Sequence, residues 1–239
     1  KCRSMVLTYV EEWRRTVTRM GRWVDFDDDY RTMDASYMET IWWVFRQLWD
    51  QGRIYRAHRI MPYSWKLTTP LSNFEAGSNY KDVNDPAITV RVKLTSGVDG
   101  DAYALAWTTT PWTLPGNLAL CAGPDIDYVL VRDVSSGDRY LVADARISAL
   151  YKKDEDFEIV ARYKGAELEG WTYEPLFSYF AAHEGAFRIL NDDYVTTAEG
   201  TGIVHIAPAF GEDDYRICQR EGIALVDYLD AECNFSSVI

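Results

Sequence analysis

The sequence predicts a mixed α/β chain in two parts: a mainly helical segment, then a β-rich, barrel-like domain with small helices. The first part carries two helical patterns of apolar residues, and the second carries short alternating stretches separated by turns that contain Gly. With 239 residues, of which 47% are hydrophobic, the chain can bury a large core. Disorder is therefore not expected.

Two helices are predicted in the first part. Apolar residues recur at three- and four-residue steps over residues 5–20. A second pattern of this kind runs over residues 34–51, with Asp34 as a candidate N-cap and Gly52 where a helix usually ends. Residues 54–61 then read as a short strand.

Seven strands and two short helices are predicted in the second part. The strands are 88–94, 103–108, 128–134, 139–142, 157–163, 187–190 and 202–206, and the helices are 144–151 and 213–221. Short strands in quick succession with Gly-containing turns are typical of closed or strongly curved β structure. The sequence texture changes over residues 76–87, which predicts a domain boundary between residues 80 and 81.

Charge and cysteine usage exclude several classes of function. The net charge of −12 argues against a general nucleic-acid coat, so any RNA contact is expected to be confined to a small patch or to be helped by other parts of a longer protein. No apolar run is long enough to span a bilayer, and no secretion signal is recognisable. The four cysteines lack zinc-like spacing, which predicts reduced thiols, a cytoplasmic location and a site without a metal.

The first segment that could carry chemistry is 107–117, Trp-Thr-Thr-Thr-Pro-Trp-Thr-Leu-Pro-Gly-Asn. Thr108, Thr109 and Thr110 end an apolar strand, and the prolines turn the chain away from the sheet. Hydroxyl groups and backbone amides are then free to face a ligand. Taken alone, the residues are explained more simply as a strand end rich in β-branched side chains.

The second segment is 200–214, in which His205 lies at the end of an apolar strand and Asp214 lies in the first turn of the next helix. The loop between them brings the imidazole and the carboxylate into plausible proximity. The ordinary interpretation is a structural histidine and acidic residues that favour a helix N-terminus. The residues alone leave both interpretations open.

Together the two segments resemble the editing motifs of isoleucyl-tRNA synthetases. Thr-Thr-Thr-Pro-Trp-Thr followed by Leu-Pro-Gly-Asn is similar to the threonine-rich motif of that family. Gly-Thr-Gly-x-Val-His-x-Ala-Pro, with Asp nine residues after the His, is similar to the second. The leucyl and valyl relatives typically read Thr-Thr-Arg-Pro-Asp/Glu-Thr, so Thr110 and Trp112 favour the isoleucyl branch. Two departures are Gly116, where Ala or Ser is more usual, and Cys233, where Gly is commoner.

The first part extends the resemblance. Residues 21–26, 42–45 and 69–75 resemble the stretch of a nucleotide-binding catalytic domain that precedes the editing insertion in the eukaryote-like type. The resemblance implies that residues 1–80 flank the class I catalytic domain and that residues 81–239 form the editing, or connective-peptide, domain. The sequence has no His-Ile-Gly-His-type or Lys-Met-Ser-Lys-Ser-type motif. ATP is therefore expected to serve only the full-length enzyme, and this chain is not expected to charge tRNA.

The resemblance implies post-transfer editing, the hydrolysis of valine mis-esterified to isoleucine tRNA. Its partners would be the 3′ end of that tRNA and the rest of the synthetase, without a membrane. Asp214 would meet the substrate ammonium, and His205 would contact the amino acid or the terminal ribose. The other expected catalytic residues, which would hold the carbonyl or a water, are Thr108, Thr109, Thr110 and Asn117. The expected substrate-binding residues are Trp112, Thr113 and Gly202, and no metal or other cofactor is expected.

Other functions stay open at this point. Arg14, Arg15, Arg19 and Arg22 could serve a non-catalytic tRNA-docking module, although a solvated helix face explains them more simply. An editing domain of the valyl or leucyl type is a second alternative. A His/Asp hydrolase of small esters, which would not need tRNA, is a third, and a domain kept only for structure is the last.

Overall fold

The computed structural model of the chain describes residues 5–6 and 8–239. These residues divide into two compact units, Lys1–His58 and Arg59–Ile239. The domain boundary predicted between residues 80 and 81 falls inside the second unit and stays a prediction. No helix in the described residues is both long and apolar enough to cross a membrane.

The first unit contains helices α1 (Val10–Arg19) and α2 (Ala35–Asp50). Both predicted helices are therefore found, although residue 7 of the first prediction lies outside the described residues. Asp34 does occupy the N-cap position of α2 with extended backbone, but its side chain makes no capping hydrogen bond within the described structure. The strand predicted over residues 54–61 is wrong, because this segment pairs with no other segment in the part of the chain that is described.

The second unit begins with small elements and continues with a sheet. Its strands are β1 (Tyr63–Ser64), β2 (Thr69–Pro70), β3 (Ile88–Lys93), β4 (Tyr103–Thr108), β5 (Ala119–Ala122), β6 (Asp127–Asp133), β7 (Arg139–Ala143), β8 (Phe157–Lys164), β9 (Arg188–Asn191) and β10 (Ile203–Ile206). Its α-helices are α3 (Asn73–Ala76), α4 (Ile147–Leu150) and α5 (Glu212–Arg220). Short 3-10 turns include Pro111–Gly116 and Gly165–Leu168.

Eight strands form one mixed sheet in the order β8-β6-β7-β4-β10-β5-β9, and β3 pairs with β4. The hairpin strands β3 and β4 are antiparallel, as are β6 and β7. β4 pairs in parallel with β7 near its start and with β10 near its end. β10 also pairs antiparallel with β5, so β10 lies between the two strands that flank the threonine-rich segment.

The sheet curls around a single main core. Side chains from strands far apart in the sheet order share this core, among them Val92, Leu120, Leu130 and Ile189. Strands at both ends of a flat sheet could not contribute to one cluster, so the sheet must be strongly curved. The turn Gly165–Leu168 lies against both β8 and β9, the two ends of the sheet. The predicted mixed α/β, β-rich, barrel-like fold with small helices is confirmed.

All seven strands and both helices predicted for this unit are present, within a few residues at each end. β5 was not predicted. Its four residues, Ala-Leu-Cys-Ala, are all buried, so the segment shows no alternation of apolar and polar residues. A strand buried on both faces lacks the two-residue period on which sequence-based prediction depends.

Candidate functional site

The two motifs of the sequence meet at one edge of the sheet. β4 and β10 run parallel with Val204 opposite Trp107, so their carboxyl ends point the same way. β4 ends at Thr108 and β10 ends at Ile206, only one or two residues beyond this pair. The threonine-rich segment and the loop that follows β10 therefore leave the sheet side by side.

Local hydrogen bonds fold the threonine-rich segment into the 3-10 turn Pro111–Gly116. Pro111 suits the first position of this turn because its φ is preset and it has no N–H to satisfy. The backbone N–H of Thr110 donates to Oγ1 of Thr108 at 3.0 Å, and the hydroxyl of Thr113 donates to the carbonyl of Thr110 at 2.8 Å. Since Thr108 and Thr113 are buried, their hydroxyls shape the turn from inside.

His205 joins the two motifs. Its Nε2 lies 2.9 Å from Oγ1 of Thr113, and its Nδ1 lies 2.9 Å from Nδ2 of Asn117. An amide nitrogen can only donate, so Nδ1 accepts and the ring proton is on Nε2. That proton is donated to Thr113, whose own hydroxyl proton is already committed to a carbonyl.

The orientation of the Asn117 amide is itself fixed. Its Nδ2 donates to the carbonyl of Ala119 at 2.8 Å, and its Oδ1 accepts from the hydroxyl of Tyr173 at 2.8 Å. Both ring nitrogens of His205 thus have protein partners in a continuous hydrogen-bonded chain. Burial lowers the pKa of His205 to about 4, so the imidazole is neutral at neutral pH.

Asp214 lies in the first turn of α5, where the helix dipole favours a carboxylate. Its Oδ2 accepts from the backbone N–H of Ala207, in the loop after β10, at 2.8 Å. Burial nevertheless raises the pKa of Asp214 to about 6, and the charge of the adjacent Asp213 adds to the rise. A Cβ at Gly211 would come within 2.8 Å of Cγ of Asp214, so glycine at that position leaves room for the carboxylate.

A carboxylate at the end of β9 fastens α5 to the sheet. Asp192 accepts two hydrogen bonds from Arg216, each of 2.9 Å, and one of 2.8 Å from Arg220. The hydrogen bond from Arg216 is the main cause that lowers the pKa of Asp192 to about 2. Because both arginines belong to α5, Asp192 fixes the helix that carries Asp214.

An aromatic layer lies behind the threonine-rich turn. The ring of Trp112, which is 49% exposed, meets the ring of Phe210 edge to face, with centroids 5.1 Å apart. Phe210 in turn packs on Tyr228 at 5.1 Å. The Tyr228 hydroxyl donates to the carbonyl of Thr113 at 3.1 Å, which ties this layer to the turn.

Most of the residues predicted for the site do come together. The hydrogen-bonded network contains Thr108, Thr110, Thr113, Asn117 and His205. Thr109 and Trp112 lie beside this network and are open to solvent, and Asp214 lies at the loop that follows His205. The roles assigned to these residues stay predictions.

Gly202 lies apart from the others. It precedes β10, at the end opposite His205, and is buried. Its φ is +79°, and a Cβ there would come within 2.4 Å of Cβ of Ala143. Its carbonyl accepts from the hydroxyl of Tyr128 at 2.6 Å. These contacts favour a structural reason for glycine at this position, the close approach of two backbones.

Sequence reasoning missed four residues that shape the site: Tyr173, Asp192, Phe210 and Tyr228. Phe210 lies inside the second motif, so its aromatic character was a usable signal. The others come from segments without a recognisable pattern, and only the fold brings them to the site. In the described residues, no group of three or more His, Cys, Asp or Glu side chains could hold a metal ion. Metal independence stays a prediction.

Comparison with known proteins places this site in context. A sequence model of the class I tRNA synthetases (I, L, M and V) matches residues 1–218. The cytoplasmic isoleucine–tRNA ligase of Mus musculus is 52% identical over 229 residues, which are 95% of this chain and 18% of that protein. The isoleucine–tRNA ligase of Bdellovibrio bacteriovorus is 52% identical over 238 residues, 98% of this chain and 22% of that protein. The chain therefore spans about a fifth of the length of the curated relatives it matches.

Solved structures show weaker similarity. The crystal structure of GlLeuRS-CP1 has a TM-score of 0.48 and 18% identity, covering 59% of this chain and 66% of that chain. The cytosolic leucyl-tRNA synthetase editing domain of P. knowlesi also has a TM-score of 0.48, with 15% identity over 63% of this chain and 70% of that chain.

Proposed function

We propose a function for a chain that belongs to the class I tRNA synthetases and, within them, to the isoleucine–tRNA ligases. Its β-rich unit hydrolyses valine that is wrongly esterified to isoleucine tRNA. The observation that carries the proposal is the convergence of two separate motifs at one sheet edge. His205 joins the threonine-rich turn to the loop that Asp214 anchors.

Asp214 is proposed to bind the ammonium of the aminoacyl ester. A partly buried carboxylate gains more from a cation than an exposed one does, because the local dielectric is lower. Its pKa of about 6 means that the carboxylate is mostly ionised at neutral pH and is sensitive to a charge brought beside it. An ammonium would lower the pKa of Asp214, so binding and ionisation would favour each other.

The threonine hydroxyls and amides are proposed to hold the ester carbonyl and the attacking water. Thr109 and Thr110 are open to solvent at the end of β4, whereas Thr108 and Thr113 keep the turn in shape from inside. An ester is already activated toward hydrolysis, so correct positioning of water supplies much of the rate. Since both nitrogens of His205 are engaged, its proposed role is to position Thr113 and Asn117, and contact with substrate stays a prediction.

Selectivity is proposed to arise by exclusion. Valine and isoleucine differ by one methylene, worth about 1–3 kcal/mol in a binding pocket, and this pair is itself the standard illustration of that limit. A second site that admits only the smaller side chain removes the errors that remain. Trp112 and Thr113, two neighbouring residues of the 3-10 turn, are the proposed wall of that site.

The proposal is tested by comparing substrates for the same chain. We expect release of valine from valyl-tRNA of the isoleucine type, and little hydrolysis of valine ethyl ester at the same concentration. Binding of the charged tRNA without release of valine would instead indicate a docking module. Equal turnover of the small ester would indicate a general esterase. Either result would overturn the proposal.

A further inference from the structure

We propose that Tyr228 is a positioning residue that sets the depth of the amino-acid pocket, and thereby the preference for valine over isoleucine. This inference rests on the proposed function and assigns a role to the C-terminal part of the chain. Tyr228 lies well outside both sequence motifs, and its side chain is fully buried. It contacts the 3-10 turn that carries the proposed wall at two places, and it contacts Phe210, which packs on Trp112, at a third.

The first two contacts are with Thr113, in the middle of the 3-10 turn, and with Gly116, its last residue. The Tyr228 hydroxyl donates to the carbonyl of Thr113 at 3.1 Å, which holds the peptide unit that follows the Thr113 side chain. At the end of the turn, a Cβ on Gly116 would lie 2.4 Å from Cε1 of Tyr228 and 3.0 Å from its hydroxyl oxygen. The ring therefore occupies the space that a methyl group at position 116 would need. Gly116 and Tyr228 are sterically complementary.

The third contact is through the aromatic layer. Tyr228 packs on Phe210 and Phe210 packs on Trp112, each with centroids 5.1 Å apart. Trp112 is half exposed, so its inner side is supported while its outer side faces solvent. Phe210 lies between Tyr228 and Trp112, so loss or displacement of the Tyr228 ring changes the support of Trp112.

The backbone around Tyr228 holds the ring in place from behind. Its carbonyl accepts from the backbone N–H of Ser236 at 2.7 Å, and Leu229 forms a β-bridge with Phe235. The ring of Phe235 packs against Tyr228 with centroids 5.9 Å apart. Residues 228–236 thus form a small hydrogen-bonded loop that packs the Tyr228 ring against the 3-10 turn.

Two substitutions of opposite effect test this inference. Tyr228→Leu removes the support of Phe210 and Trp112, so the pocket deepens and hydrolysis of isoleucyl-tRNA should rise by about 10-fold relative to valyl-tRNA. Gly116→Ala brings a methyl group into the space of the Tyr228 ring and must displace it. We expect this displacement to narrow the pocket, so that hydrolysis of valyl-tRNA falls by about 10-fold without a gain for isoleucyl-tRNA. The double variant Gly116→Ala/Tyr228→Leu should recover valyl-tRNA hydrolysis to within about 3-fold of the unmodified chain, because the smaller side chain leaves room for the new methyl.

Three further variants and readouts separate positioning from loss of structure. Tyr228→Phe keeps the ring but loses the hydrogen bond to the carbonyl of Thr113, so its Val/Ile ratio should lie between those of the unmodified chain and Tyr228→Leu. Tyr163→Leu is the control, because it removes a partly buried tyrosine that packs on Trp171 and against the core, and it should lower the melting temperature without changing the Val/Ile ratio. The ratio of two rates in one sample is unaffected by the fraction of chain that is unfolded. The affinities of the chain for non-hydrolysable valyl and isoleucyl amides of 3′-amino-adenosine measure the preference for valine over isoleucine without catalysis.

The outcomes are distinct. An unchanged Val/Ile ratio in Tyr228→Leu, or a double variant no better than Gly116→Ala, would overturn the role of Tyr228 while the proposed function stood. If the unmodified chain neither hydrolysed valyl-tRNA nor bound the valyl amide, the proposed function and this inference would fail together.

Discussion

At the scale of single residues, the site holds two buried titratable groups whose pKa values move in opposite directions. Burial lowers the pKa of His205 to about 4 and raises the pKa of Asp214 to about 6. In both groups burial disfavours the charged form. Each group therefore lowers the stability of the fold at any pH at which the same group is charged in the unfolded chain. His205 has two hydrogen-bond partners that suit its neutral form, whereas Asp214 must be ionised for its proposed task.

The first prediction concerns stability at Asp214. Its pKa is raised in the folded state, so the folded chain binds the extra proton between pH 4 and pH 6, and the free energy of unfolding falls as pH rises through that window. Asp214→Asn keeps an acceptor for Ala207 but cannot ionise. We expect it to raise the free energy of unfolding by about 1–2 kcal/mol at pH 7 and not at pH 4, after discounting for partial exposure.

Urea unfolding of both chains at pH 4 and pH 7 measures this difference, and His205 cancels because both chains contain it. Asp193→Asn, at an exposed position, is the control and should show no pH-dependent gain. A loss of stability in Asp214→Asn at pH 7 would show that burial of the ionised carboxylate does not destabilise the fold.

The second prediction concerns activity at the same residue. Protonation of Asp214 removes the charge proposed to bind the ammonium, so enzymatic deacylation should fall as pH drops through about 6. Single-turnover rates at enzyme concentrations well below saturation, measured between pH 5 and pH 8 and corrected for spontaneous hydrolysis, test this because they report the pKa of the free chain. A rate that stays level across that range would contradict ammonium binding by Asp214.

At the scale of elements, two structural features position the site. They are the 3-10 turn after β4 and the ion pair that links α5 to the end of β9. Sequence reasoning found the turn, because Pro111 and Pro115 mark it locally. It also found α5 and its acidic first turn. It could not find the clamp on Asp192, since the two arginines and their acceptor are more than twenty residues apart and only the fold unites them.

The third prediction tests this clamp. Asp192→Asn weakens hydrogen bonds to two guanidinium groups and should lower the free energy of unfolding by about 1–2 kcal/mol at pH 7. The pKa of Asp192 is lowered to about 2, so its contribution is present above pH 4 and is lost only as pH falls toward 2. Asp144→Asn, which removes a more exposed pair with Arg162, is the control and should cost less than about 0.5 kcal/mol. Equal losses in the two variants at pH 7 would show that the clamp does not anchor α5.

At the scale of the whole molecule, the sequence predicted the β-rich curved sheet and most of the residues that meet at its edge. The motifs could be predicted because each is contiguous in sequence. The aromatic layer could not be predicted in full, because Tyr228 follows Phe210 by eighteen residues and has no pattern of its own. Cys233 departs from the family pattern and adopts φ of +61°, which explains why glycine is commoner there.

The acidic charge of the whole chain limits how it can recognise tRNA. A net charge of −12 repels tRNA, so the proposed recognition depends on the charged 3′ end entering one site and not on a broad basic surface. The ammonium of the amino acid is the one cation on that end of the substrate. A single carboxylate, Asp214, can therefore distinguish an aminoacylated end from an uncharged one.

The proposed editing function is tested most directly by the single-turnover rate of deacylation of isoleucine tRNA that carries valine or isoleucine, measured at pH 7 for the unmodified chain and for Asp214→Asn. We expect the unmodified chain to hydrolyse the valine ester at least about 10-fold faster than the isoleucine ester, and Asp214→Asn to lose most of the valine rate while remaining folded. Equal rates on the two esters, or an unchanged valine rate in Asp214→Asn, would contradict the proposed function.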